Sequence, residues 1–150
     1  MTENKEIMEM MGLIRQIHRR MSSYYTTVLS KHDLTVQHYT LMLSLMFEET
    51  LKMNEIAQKL AVTNPAVTNL VDQLENMELI TRIPCEADRR VTLVKITAKG
   101  RQVVEKIQEK MFSTFSGTFA GFDGASRGII KKFYQTFVHN LDNVQDNETN

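Results

Sequence analysis

At 150 residues the chain has the length of one domain, and its 42% apolar content supports a buried core. Eighteen basic residues balance eighteen acidic ones, so bulk charge gives no drive toward nucleic acid or an anionic surface. No run of about 18 apolar residues spans a membrane, the N-terminal MTENKEIMEMMG has no apolar signal core, and the single cysteine, Cys85, excludes an internal disulfide and a cysteine-based zinc cluster, so a cytosolic protein is expected.

The first predicted helix runs from about Lys5 to Ser30. Ile7, Met10, Ile14, Ile17, Met21, Tyr24 and Val28 recur in three- and four-residue steps, a heptad seam made for packing on another helix. Lys31-His32-Asp33 breaks it, and Leu34-Thr35 leads into a second helix. Its broad apolar face, Tyr39, Leu41, Met42, Leu45 and Met46, gives it a central position. After Glu48-Glu49-Thr50, Leu51 makes a short β contact. Lys52-Met53-Asn54 then opens a third helix that buries Ile56, Ala57 and Leu60.

Thr63 caps the fourth helix by accepting from a backbone N–H of its first turn. Pro65 falls in that turn, where its missing N–H costs little. Val67, Leu70, Val71 and Leu74 form the core stripe, and the helix ends near Met77. Ile80 to Ile83 and Val91 to Ile96 alternate and are β-branched, so they read as two antiparallel strands around the turn-prone tip Cys85-Glu86-Ala87-Asp88-Arg89-Arg90. Thr97 caps a long helix from Ala98 to about Ser116, with Val104, Ile107, Met111 and Phe115 as its seam. Glycines at 117, 121, 124 and 128 mark a weakened stretch. A last helix runs from about Ala125 to Val144 on Ile130, Phe133, Phe137, Leu141 and Val144, and residues 145–150 read as a disordered tail.

Helix, turn, helix and hairpin in that order, over about residues 34–100, make a winged helix-turn-helix. This module sets one helix in the DNA major groove with a hairpin beside it. The expected fold is thus mainly α with a small β-hairpin, in one 1–150 domain. The terminal helices, 5–30 and 101–144, carry seams that one small core cannot all bury, so they are read as a homodimer interface. An intramolecular bundle is the other use of the same seams.

Charge is unevenly placed. Residues 82–101 hold six cations, Arg82, Arg89, Arg90, Lys95, Lys99 and Arg101, against Glu86 and Asp88, while residues 63–81 hold Asp72, Glu75 and Glu78 and no cation. The candidate reading residues are Thr63, Asn64, Ala66, Thr68, Asn69 and Gln73. Asn pairs with adenine, while Thr and Ala contact a thymine methyl, so A·T-rich half-sites are expected. The alternative is a solvated polar face. Asp88, Arg89 and Arg90 form the candidate wing contact, because an arginine gains from the potential of a narrow A·T minor groove. Arg82, Lys95 and Lys99 are phosphate candidates.

In Met53-Asn54-Glu55-Ile56-Ala57-Gln58-Lys59-Leu60, Val62-Thr63-Asn64-Pro65-Ala66-Val67-Thr68, Leu79-Ile80-Thr81-Arg82 and Asp88-Arg89-Arg90, followed by Leu93, Ile96-Thr97 and Lys99-Gly100, the chain resembles the MarR family of bacterial winged-helix regulators. The order and spacing of these motifs over about fifty residues carry the resemblance. It implies a homodimer on a palindromic operator, repression relieved by a small ligand or an oxidant, and Arg90 in the minor groove with Asp88 buttressing it. It also implies an effector cleft along the first two helices, where His18, His38 and Met42 are candidates.

Two departures stand out: Glu78 occupies a position where the family usually has Gly, and the recognition helix lacks the usual Arg or Lys. Oxidant-sensing members carry their cysteine in the N-terminal helix, so Cys85 reads as a bland hairpin residue. His18, His32, His38 and His139 have no metal-site spacing. No phosphate loop, nucleophile triad or acid–base pair is present, so neither a cofactor nor catalysis is expected. The ten methionines read first as packing. Those on the first two helices would also suit an adaptable pocket for an apolar or aromatic effector. The expected function is a DNA-binding repressor, and the rival is a winged-helix module that binds protein instead.

Overall fold

The computed structural model describes residues 2–148, with side chains described for residues 3–144. The expected elements are all present: α1 (Thr2–Ser30), α2 (Val36–Phe47), β1 (Leu51–Lys52), α3 (Met53–Leu60), α4 (Asn64–Asn76), β2 (Ile80–Pro84), β3 (Thr92–Ile96), α5 (Ala98–Phe119) and α6 (Gly124–Glu148). They fall into two compact units, Met1–Gln108 and Glu109–Asn150.

Two boundaries differ from expectation. Helix α5 runs through Gly117, and the break falls at residues 120–123. One interior glycine costs a helix only about 1 kcal/mol, which the flanking turns outweigh. The expected disordered tail, 145–150, is corrected in part. Helix α6 continues to Glu148, since polar residues propagate a helix once it is nucleated. Residues 149 and 150 lie outside the described residues.

In the first unit the sequence stops three helices in the same way. After α1, Leu34 N–H donates to Leu29 O and Asp33 N–H to Ser30 O. After α3, Val62 N–H donates to Ala57 O and Ala61 N–H to Gln58 O. After α4, Leu79 N–H donates to Leu74 O and Glu78 N–H to Glu75 O. Each is a Schellman closure, which needs one residue in the left-handed region. None uses glycine there: Asp33, Ala61 and Glu78 sit at φ 56°, 51° and 60°. Glu78 therefore keeps the turn that a glycine would make, at the cost of a crowded Cβ.

The core lies between α2, α3, α4, the sheet and the first turns of α5. Leu41, Met42, Leu45, Ile56, Val67, Val71, Leu74, Ile80, Val94 and Ile107 are all buried. Each such side chain contributes roughly 1.5–3 kcal/mol through burial. The sheet order is β1-β3-β2, all antiparallel, with Leu51 opposite Val94 and Ile80 opposite Ile96. Thr97 caps α5 as expected, its Oγ1 accepting from Gly100 N at 3.0 Å. Gly100 is required by contact, because a Cβ there would lie 2.0 Å from the Leu79 carbonyl oxygen.

The seams divide along their length. In α1 the C-terminal residues Val28 and Leu29 are buried, but Ile7, Met8, Met10, Met11, Leu13 and Ile17 are exposed. In the second unit Phe133, Phe137, Leu141 and Val144 of α6 are also exposed, with Phe133 and Phe137 stacked at 6.0 Å. Among the described residues no helix is long and apolar enough to cross a membrane.

Candidate nucleic-acid interface

Helix α4 presents two faces because its apolar residues recur at helical spacing. Val67, Val71 and Leu74 are buried, while Asn64, Ala66, Thr68, Asn69 and Gln73 are exposed. Thr63 starts the helix, its Oγ1 accepting from Ala66 N at 3.4 Å, and Pro65 occupies the first turn. The Thr68 hydroxyl donates to Asn64 O at 3.2 Å, which commits its proton to the helix itself. Gln73 is less free than expected. Its Nε2 donates to Asn69 Oδ1 at 3.2 Å, and its Oε1 lies 2.8 Å from His38 Nε2.

The wing is the β2–β3 hairpin. Cys85 N donates to Val91 O at 3.0 Å, and Val91 N donates to Asp88 O at 2.9 Å, which closes a compact tip. Asp88 Oδ1 accepts from Arg90 N at 3.0 Å and lies 3.9 Å from Arg90 Nε. Asp88 thus orders the turn that carries Arg90, while the Arg90 side chain remains 95% exposed. Arg89 is exposed beside it.

Arg82, Lys95 and Lys99 lie against carboxylates. Arg82 reaches from β2 to α4, donating to Asp72 Oδ1 at 2.6 Å and to Glu75 Oε2. Its backbone N–H also donates to Glu75 Oε1 at 2.9 Å. Partial burial disfavours the guanidinium charge, but the hydrogen bonds and charges of Asp72 and Glu75 outweigh that and raise its pKa. Arg82, expected as a phosphate contact, is thus paired with two carboxylates of α4, through one donor to each. Lys99 donates to Met77 O and Glu78 Oε2, both at 2.9 Å, and so serves the C-terminal end of α4. The hydrogen bond and charge of Lys99 hold the Glu78 carboxyl below its usual pKa. Lys95 lies 3.6 Å from Glu49, and both are well exposed.

The three effector candidates differ in exposure. Met42 is fully buried in the core, His38 is 4% exposed, and His18 is exposed on α1. His38 links the start of α2 to α4. It completes a capping box with Thr35, its Nδ1 accepting from Thr35 N and its own N–H donating to Thr35 Oγ1, both at 3.2 Å. Burial pulls its pKa below the ordinary imidazole value, partly offset by the hydrogen bond to Gln73.

Sequence reasoning missed the links of Arg82 to Asp72 and Glu75, of Lys95 to Glu49, of Lys99 to Glu78 and of His38 to Gln73. The four-residue spacing of Asn69 and Gln73, and the three-residue spacing of Thr35 and His38, are signals that could have found those local pairs. Nothing in the sequence signalled the 35-residue reach from His38 to Gln73.

An exposed helix with a polar outer face, set in a helix-turn-helix and followed by an arginine-tipped hairpin, defines a winged helix-turn-helix module. Residues 34–92 match the MarR family. The organic hydroperoxide resistance transcriptional regulator of Bacillus subtilis is 31% identical over 114 residues, 76% of this chain and 74% of that protein. The HTH-type transcriptional repressor IacR of Pseudomonas putida is 25% identical over 87% of this chain and 78% of its own length. Among solved structures, a MarR family protein from Bacillus stearothermophilus superposes with a TM-score of 0.81 at 19% identity, over 93% of this chain and 97% of that one. A mutant of S. aureus MepR bound to an oligodeoxyribonucleotide gives 0.66 at 24% identity, over 86% and 95%. The chain belongs to the MarR family of DNA-binding transcriptional regulators.

Proposed function

We propose that the protein is a homodimeric repressor that binds a palindromic, A·T-rich operator and is released by a small apolar or aromatic ligand. The observation that carries the DNA reading is the pairing of two exposed features, the Asn64, Ala66, Thr68 and Asn69 face of α4 and the ordered wing bearing Arg89 and Arg90. The first suits base edges in a major groove and the second suits a minor groove. The DNA-bound MepR mutant and the repressor IacR support the same reading by likeness.

Dimer formation is supported by the exposed seams of α1 and α6, since apolar rows of this kind are costly when left in water. Two wings and two recognition helices related by a two-fold axis require an inverted repeat. The methionine-rich surface of α1, with Met8, Met10 and Met11 exposed, suits an apolar or aromatic ligand.

One observation favours the rival, a protein-binding module: Arg82, Lys95 and Lys99 lie close to carboxylates of the same chain. Selection from a random duplex library separates the two. The expected product is an A·T-rich inverted repeat bound with a salt-dependent Kd. A G·C-rich product sinks the assignment of the readers, and no selected sequence sinks the DNA reading.

A further inference from the structure

A hydrogen-bond relay crosses from the start of α2 to the outward face of α4, and its polarity is set at one end. Thr35 N–H is an obligate donor, and it donates to His38 Nδ1. The proton of the neutral ring therefore sits on Nε2. Nε2 donates to Gln73 Oε1 at 2.8 Å, which turns the Gln73 amide so that its Nε2 donates to Asn69 Oδ1 at 3.2 Å. The Asn69 carbonyl is thereby turned back along the helix and its two amide hydrogens are left for the groove. Each step follows from the one before, so no amide in the chain is free to flip without breaking a bond.

We propose that His38 is a positioning residue for base reading: through Gln73 it fixes the Asn69 amide as an outward donor, and so sets which base edges Asn69 accepts. An outward donor favours edges that offer acceptors, namely purine N7, guanine O6 and thymine O4. It disfavours the cytosine N4 and adenine N6 amines. This rests on the reading of α4 as the helix in the major groove, and it goes beyond that reading by making a buried residue on another helix a determinant of specificity. The low exposure of His38 keeps water from competing for Nε2, and burial favours the neutral ring that the relay requires.

The test is base preference, measured at fixed salt as Kd ratios over a panel of operators changed at one base pair per half-site. Asn69→Ala should flatten the preference at one position by about ten-fold, the scale of one specific contact. Gln73→Ala, which leaves the core intact, should flatten the same position and no other, and should add nothing in the Asn69→Ala background. His38→Ala should do the same. Gln73→Glu keeps an acceptor for His38 but sets a carboxylate against Asn69, so the Asn69 amide should reverse. The preference at that position should then shift toward edges that donate, the amines of cytosine and adenine.

A merely structural role for His38 would lower affinity equally across the panel and would not invert any preference. That uniform loss, or Gln73 effects that persist without Asn69, would overturn the proposal while leaving the DNA reading in place. A wild-type protein with no preference at any position would overturn both.

Discussion

Arg90 and Asp88 show how a tip of six residues can hold a cation ready without satisfying it. Asp88 takes the Arg90 backbone N–H at 3.0 Å, so the turn is ordered while the guanidinium stays in water. Little has to be broken before Arg90 meets DNA. Arg90→Ala should weaken operator binding by about 1–3 kcal/mol per site, read as the Kd at fixed salt. An unchanged Kd would remove the wing from the interface.

His38 makes a second prediction at this scale. Its folded pKa is depressed, so below the ordinary value of about 6.5 the unfolded chain binds the extra proton and the folded chain resists it. The stability gained from the neutral ring is full above that value and is lost as pH falls through it. Wild type should therefore lose more stability between pH 7 and pH 5 than His38→Gln, measured by urea unfolding. Equal losses would show that the ring is not held neutral.

Among the elements, helix ends teach the most about what sequence conveys. Apolar spacing placed every helix and strand, and Thr63, Pro65 and Thr97 marked starts correctly. The three left-handed stops were not legible, because Asp33, Ala61 and Glu78 are not residues that announce that conformation. Only the unusual Glu78 hinted at one. The physical reason is tertiary: Leu79 is buried at the end of α4, and its carbonyl takes both Thr97 N and Thr97 Oγ1 at 3.1 Å. The chain must turn there whatever residue occupies position 78. Glu78→Gly should relieve the crowding and raise Tm by roughly 2–4 °C. Glu78→Ala, which loses Lys99 and keeps the strain, should not raise it. Scanning calorimetry of both variants distinguishes backbone from charge.

For the whole molecule, the two opposed charge islands read from the sequence turn out to be partners. The acids of α4 and its C-terminal end, Asp72, Glu75 and Glu78, face Arg82 and Lys99. Such long-range pairing cannot be read from a linear count, which is why the local excess of cations overstated the free positive charge. Arg89 and Arg90 remain the most available cations on the proposed DNA face. If these two arginines in each half of a dimer neutralise four phosphates, the slope of log K against log salt should be near −3.6. Arg90→Ala should make it shallower by about 1.8. A wild-type slope near −9 would mean that Arg82, Lys95 and Lys99 leave their carboxylates when DNA arrives.

The grip of Arg82 on Asp72 and Glu75 has a mechanical corollary. It ties the first residues of the hairpin to the middle of α4, so the helix and the wing are coupled parts rather than independent fingers. A shift in the separation between two such heads would withdraw major-groove and minor-groove contacts in a single stroke. Release from DNA would then be abrupt, with no half-released head holding on by its wing alone.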